Sequence, residues 1–172
     1  GKTVMIVLII VSFLPIIVLS YYSRPCVDDF SYSIQTHHSV EQSNGIKDLI
    51  GCAIKTDVDF YHHWQGLYSS AFILSLQPGI FGDTFYGIGS IVLLLLGLIA
   101  FLLLIKTLGK YYFEKEYNHY IWGTLSYTLF IQTIPSPVEG LFWFNGAYNY
   151  MFFLFIFLIN LSCLIHYSES QQ

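Results

Sequence analysis

Charge is scarce in this chain. Only 10% of its 172 residues are charged, and seven Lys and Arg stand against eleven Asp and Glu. So few basic residues argue against nucleic acid, whose phosphates call for a basic surface. Cysteine is scarce too: Cys26, Cys52 and Cys163 form no metal-binding or redox spacing, which rules out a disulfide-dense secreted scaffold. Cys26 and Cys52 remain free to pair if their compartment is oxidising, whereas Cys163 lies in an apolar run and reads as a packing residue. Short strict alternation of apolar and polar residues is missing, so the strands of an outer-membrane barrel are not expected. The first apolar run is followed by LSYYSRP, without an Ala-x-Ala type of cleavage site, and reads as a retained span rather than a signal peptide.

Apolar and aromatic residues fill the space that charge leaves. Hydrophobic residues make up 55% of the chain, with 15 Phe, 14 Tyr and 3 Trp. Val4 to Leu19 is uncharged, and Phe85 to Ile105 is a run of 21 residues without a charge. About 20 residues of helix cross roughly 30 Å of hydrocarbon, so both runs predict spanning helices. A third run extends from Tyr120, or from Tyr117, to Ile134, and a fourth from Tyr150 to His166. The expectation is therefore an all-α polytopic membrane protein with about four transmembrane helices, since a bilayer forces backbone groups to bond internally.

Lys2 precedes the first run, and Lys106, Lys110 and Lys115 lie between the second and third. The positive-inside tendency puts these residues and both termini on the cytoplasmic side of a cell membrane, and the acidic loop of residues 20–84 outside. A second outer loop is expected over 135–149. Pro15 would kink the first span. Within the long loop, Ser43-Asn44-Gly45 reads as a turn. The spacing of Ile46, Leu49, Ile50, Ala53 and Ile54 then predicts an amphipathic helix, lying on the membrane or packed on the rest of the loop. Tyr68 to Phe81 is apolar but broken by Pro78-Gly79, and reads as a re-entrant or interfacial segment. The whole chain reads as one membrane domain, and as an incomplete one.

Three groups of residues bear chemistry. The first is Asp28-Asp29. In an extended segment the two would point apart, so one would face a reaction centre while the other bound a cation or fixed geometry. Mg²⁺ or Mn²⁺ held by the pair would suit phosphate chemistry, and a carboxylate acting as a general base without metal is the alternative. An acidic turn capping a helix is the plainer reading. Arg24 nearby would meet a phosphate or neutralise the acids. The second group is Asp57, Asp59, His62, His63, Trp64 and Gln65. It lacks the His-Glu-x-x-His zinc pattern, and reads either as an interfacial belt or as a sugar pocket in which Trp64 stacks and Gln65 bonds. The third is IPSPVEGLFWFNGAYNY, where Glu139, Trp143, Asn145, Tyr148, Asn149 and Tyr150 combine an acid, two amides and rings able to stack on or bond to a polyol.

Together, an outer loop opening on Asp28-Asp29, the stretch YHHWQGLYSS at Tyr61 to Ser70 and VEGLFWFNGAYNY at Val138 to Tyr150 resemble the amino-terminal half of a GT-C type membrane glycosyltransferase. The resemblance implies sugar transfer from a polyprenyl-phosphate carrier to an acceptor outside the membrane. It assigns a catalytic or metal-associated role to Asp28 or Asp29. Where relatives carry Trp-x-Gly-Arg, this chain has Trp64-Gln65-Gly66-Leu67, without the arginine. Complete members have more spans, so the resemblance also implies a missing carboxy-terminal half or partner subunit. The alternative is a non-catalytic membrane subunit that scaffolds or regulates a larger enzyme or transporter. The position of the acids in loops rather than spans argues against a proton pump.

Overall fold

The computed structural model describes residues 2–67, 69–112 and 117–170, and all regular structure among them is helical. In chain order the elements are α1 (Lys2–Tyr22), α2 (Asp28–Glu41), α3 (Ile46–His63) and α4 (Ser70–Ser75), then 3-10 turns at Pro78–Phe81 and Asp83–Phe85. They continue with α5 (Ile88–Tyr112), α6 (His119–Gln132), a π turn (Val138–Phe142) and α7 (Phe144–Ser170).

Two of these helices are long and apolar enough to cross a membrane: the 28 residues Asp83–Lys110 around α5 and the 25 residues Phe144–Ser168 of α7. At 1.5 Å per residue they reach about 42 and 38 Å, beyond the roughly 30 Å of hydrocarbon. The 14 residues of α6 reach only about 21 Å. The helix α1 takes Pro15 into its interior and is apolar over Ile9–Tyr22.

The helix α5 is the centre of the bundle, flanked by α6 and α7. Its Leu93 and Ala100 are fully buried, as are Tyr127 of α6 and Phe155 of α7, and the Tyr127 hydroxyl donates to the Leu94 carbonyl at 2.8 Å. A buried tyrosine needs such a partner, because an unmet hydroxyl in an apolar setting costs about 1–3 kcal/mol. The end of α1 meets the start of α5 backbone to backbone. A methyl group on Gly87 would lie 1.9 Å from the Ser20 carbonyl oxygen, so only glycine allows this crossing.

Most of the expected outer loop is helical. The turn before α3 runs through Ser43 and Gly45, both with positive φ, and α3 starts at Ile46, where the apolar spacing begins. Two side chains tie α2 to its neighbours: Thr36 Oγ1 donates to the Ser75 carbonyl at 2.6 Å, and Ser39 Oγ to Asp48 at 2.6 Å. The latter bond, with one from Asn44, holds the exposed Asp48 carboxyl below the usual carboxylate range. The segment expected to be re-entrant folds as α4 and the first 3-10 turn; Tyr68, where it would begin, lies outside the described residues, as does Lys115.

Candidate functional site

The acid pair does not lie in an extended segment. Asp28 and Asp29 form the first turn of α2, where neighbouring side chains diverge around the helix, and their environments are opposite. Asp28 is exposed, whereas Asp29 is 2% exposed. Asp29 Oδ2 reaches back to the amide of Cys26 at 3.1 Å, as the acid of a capping box does. Between them Val27 holds a φ of 43°, a left-handed value that a β-branched residue rarely adopts, so the turn delivering the acids is strained.

Two more donors converge on Asp29 from distant parts of the chain. The Tyr86 hydroxyl donates to Oδ2 at 2.6 Å, and the Asn145 amide donates to Oδ1 at 3.1 Å. The Tyr86 oxygen in turn accepts the Phe144 amide at 2.7 Å, so the first two amides of α7 are both directed at this acid, one of them through a phenol. Burial raises the Asp29 carboxyl above the usual range, and the bonds from Tyr86, Cys26 and Asn145 pull it partly back. Three donors with no acceptor among them match the carboxylate form. Below, the Asp29 carbonyl accepts Ser33 Oγ at 2.7 Å and the amide group of the buried Gln77 at 2.8 Å, which secures the helix backbone as well.

Asp28 lines a cavity of about 630 Å³ between α2, the end of α3 and the start of α7. Its Oδ2 accepts Asn145 Nδ2 at 3.2 Å, and Asn145 Oδ1 accepts Asn149 Nδ2 at 2.5 Å. The same asparagine therefore holds Asp28 through its side chain and Asp29 through its backbone. Tyr32 forms part of the wall and stacks on Phe60 of α3 at 4.4 Å between ring centroids. Burial and the nearby Asp28 raise the Tyr32 phenol above its ordinary value, which keeps it a hydrogen-bond donor. Trp64 and Gln65 follow α3 into the rim, and Trp143 closes the opposite side. Trp143 Nε1 is buried without a hydrogen-bond partner among the described residues. Gly146 permits the closure: a methyl group there would lie 2.6 Å from the Glu139 carbonyl oxygen and 2.8 Å from the Trp143 ring.

Six expected site residues are thus brought together: Asp28, Trp64, Gln65, Trp143, Asn145 and Asn149. Four stand elsewhere. Asp29 lies behind the wall. Arg24 turns its guanidinium back onto the carbonyls of Tyr21 and Ser23, at 2.8 and 2.7 Å, and is not in the lining. Glu139 is exposed on the π turn. Tyr148 is buried, stacked against Phe144 and Phe152, with its hydroxyl on the Gly89 carbonyl at 3.0 Å. Within the stretch 135–149, α7 begins at Phe144 and carries Asn145, Tyr148 and Asn149 on its first turns. Tyr32 and Tyr150 also line it, and Ser31, Phe60, Leu67 and Gly146 complete the lining without having stood out in the sequence. Ser31 and Phe60 carried a signal in helical spacing, three beyond Asp28 and four before Trp64; nothing pointed to Leu67 or Gly146.

The acid and histidine cluster separates. Asp57 accepts the Phe72 amide at 3.1 Å and so holds the start of α4, while His63 pairs with Asp59 at 3.0 Å on the exposed side of α3. Among the described residues no three His, Cys, Asp or Glu side chains are grouped to hold a metal ion. With Asp29 bonded at both oxygens, the acid of the pair that lines the cavity is Asp28, which offers a single carboxylate there. Cys26, Cys52 and Cys163 are all free thiols. Partial burial, then Asp29 and Asp28, raise the Cys26 thiol above its ordinary value, which favours the protonated form. No protein-family model, curated protein or solved structure matches this chain.

Proposed function

We propose that this chain is a membrane glycosyltransferase, or part of one, that moves a sugar from a polyprenyl-phosphate carrier to an acceptor on the outer face of a cell membrane. The observation that carries the reading is the tethered Asp28 in an aromatic and amide-lined cavity. Rings at Trp64, Trp143 and Tyr32 suit the apolar faces of a sugar, and Gln65, Asn145 and Asn149 suit its hydroxyls.

In this mechanism Asp28 is the general base. It takes the proton of the acceptor hydroxyl as that oxygen bonds to the anomeric carbon, and the bond from that carbon to the phosphate oxygen breaks. Polyprenyl phosphate leaves as an anion and needs no proton from the protein. Mg²⁺ or Mn²⁺, if bound at Asp28, would supply neutralising charge for that phosphate, and the metal-free route stands beside it. Asp29 is a positioning residue, fixing Asn145 and the α2 turn that present Asp28. In the membrane we place four helices, α1, α5, α6 and α7, with both termini and the lysine-bearing connection on the cytoplasmic side.

A non-catalytic membrane subunit is the second reading. It is favoured by the outward Phe30 and Ile34 of α2, an apolar pair one helical turn apart that suits a partner subunit or a carboxy-terminal half.

Release of polyprenyl phosphate from a panel of polyprenyl-phosphate sugars, by purified chain in lipid with and without Mg²⁺ or Mn²⁺, tests the first reading. Release that disappears in Asp28→Asn is expected. Absence of both release and tryptophan fluorescence change across the panel, with folded protein, would reject the transferase reading in favour of the subunit.

A further inference from the structure

Each side of α3 faces a different medium. Ala53 and Thr56 point inward and are buried, and Phe60 stacks on Tyr32. Asp48, Lys55, Asp59 and His62 are exposed and polar, while Lys47 in the first turn stands on the flank of the row described next. Between these sectors runs a third: Ile46, Ile50, Ile54, Val58 and Tyr61, at steps of four and three residues, share one flank of the helix and are all exposed. Ile46 is 78% exposed and Ile54 52%. Nothing in the packing of the protein requires this row to be apolar.

The row leads toward the surface of a candidate span. Ile46 and Phe81 line the same hollow of about 240 Å³ at the turn between α2 and α3. Beyond Phe81, Phe85 is exposed, and then Ile88, Val92, Leu95 and Ile99 form an exposed stripe down α5 at steps of four and three. Ile46 of the α3 row thus shares a hollow with Phe81, which stands seven residues before the start of the exposed α5 stripe. A polar sector on the remaining exposed side is what a helix lying in the plane of a bilayer surface presents to water.

We infer that α3 lies on the bilayer, with the row from Ile46 to Tyr61 buried in the hydrocarbon of the leaflet that receives the first turns of α5. The inference rests on α5 being a span. Trp64, one residue past α3 and on the cavity rim, then sits at headgroup level, where tryptophan is favoured. The cavity is reached along the membrane surface, as an amphiphilic substrate requires.

The test uses the full chain with its three cysteines replaced by serine, reconstituted in phosphatidylcholine vesicles. A single cysteine at Ile50, Ile54, Lys55, Asp59 or Leu95 carries an environment-sensitive fluorophore. Lipids with a spin label on the acyl chain should quench the labels at Ile50 and Ile54 to within about twofold of that at Leu95, and at least about fivefold more than those at Lys55 and Asp59. Quenching of Ile50 and Ile54 by aqueous iodide instead, or dryness at both positions without lipid quenching, overturns the inference while Leu95 is quenched. An unquenched Leu95 overturns the span itself, and the inference with it. Ile50 and Ile54 both point outward, so neither label disturbs the core.

Discussion

Asn145 Nδ2 donates to Asp28 at 3.2 Å across 117 residues of sequence. That bond joins the first turn of α7 to the first turn of α2 and sets the direction in which the exposed acid points. A hydrogen bond to a charged group contributes about 1.5–3 kcal/mol, more than a neutral one.

Replacing Asn145 with Ala frees Asp28 while its backbone bond to Asp29 persists. In the proposed reaction, transfer should fall about 10- to 100-fold, mainly in kcat, and loss of the bonds to Asp28 and Asn149 should also lower stability by about 1–3 kcal/mol. Steady-state release of polyprenyl phosphate beside a melting curve checks this. Unaltered kcat would remove Asn145 from the positioning of the base.

Asp29→Ala leaves the Tyr86 hydroxyl and the amides of Cys26 and Asn145 without an acceptor. The Tyr86 hydroxyl and the Asn145 amide are buried, and at about 1–3 kcal/mol for each unmet donor the variant should lose at least about 2 kcal/mol, beyond a typical point substitution. Unfolding in detergent measures it. A loss under about 1 kcal/mol would mean that water reaches these donors.

The same acid predicts a pH dependence. Its folded carboxyl is raised above the ordinary value of 3.8, mainly by burial, so the folded protein holds this proton more tightly than the unfolded chain. The corresponding contribution to stability is complete below the ordinary value and is lost as pH rises through the raised one. The melting temperature of the wild type relative to Asp29→Asn should therefore decline across that interval and level off above it. A difference independent of pH would show that the three hydrogen bonds cancel the effect of burial.

Gly87→Ala should be among the most damaging small substitutions. Its methyl group would fall 1.9 Å from the backbone oxygen of Ser20, which cannot rotate away, so α1 or α5 must shift. Overpacking of this kind costs about 1–3 kcal/mol or more. A sharp drop in the yield of folded protein is expected, and a normal yield would mean that α1 is not held against α5 at this point.

Long-range uniformity made parts of this molecule legible in the sequence. The uncharged run over α5 and the spacing from Ile46 in α3 are properties of consecutive residues, and both are realised as helices. Asp28, Trp64 and Asn145 stood out because charge, indole and amide are rare beside so many aliphatic residues. The division of labour between Asp28 and Asp29 was not legible, since it depends on Tyr86 and Asn145, which are 57 and 116 residues from Asp29. The start of α7 was concealed for a related reason. Asn145 and Gly146 read as loop residues, yet one takes both acids as partners and the other admits the Glu139 carbonyl. Tyr148 resembled a ligand-binding ring because its true partners, Phe144, Phe152 and the Gly89 carbonyl, are ordinary packing groups.

The amides of Phe144 and Asn145 are the opening donors of α7, at the end of the helix that carries its partial positive charge. Since Asp29 takes up one of these directly and the other through Tyr86, its charge is met by a helix terminus instead of by a cation. Viewed from the cavity, the charge of the Asp-Asp dipeptide is concentrated on Asp28, because that of Asp29 lies behind the wall and is partly offset by the start of α7.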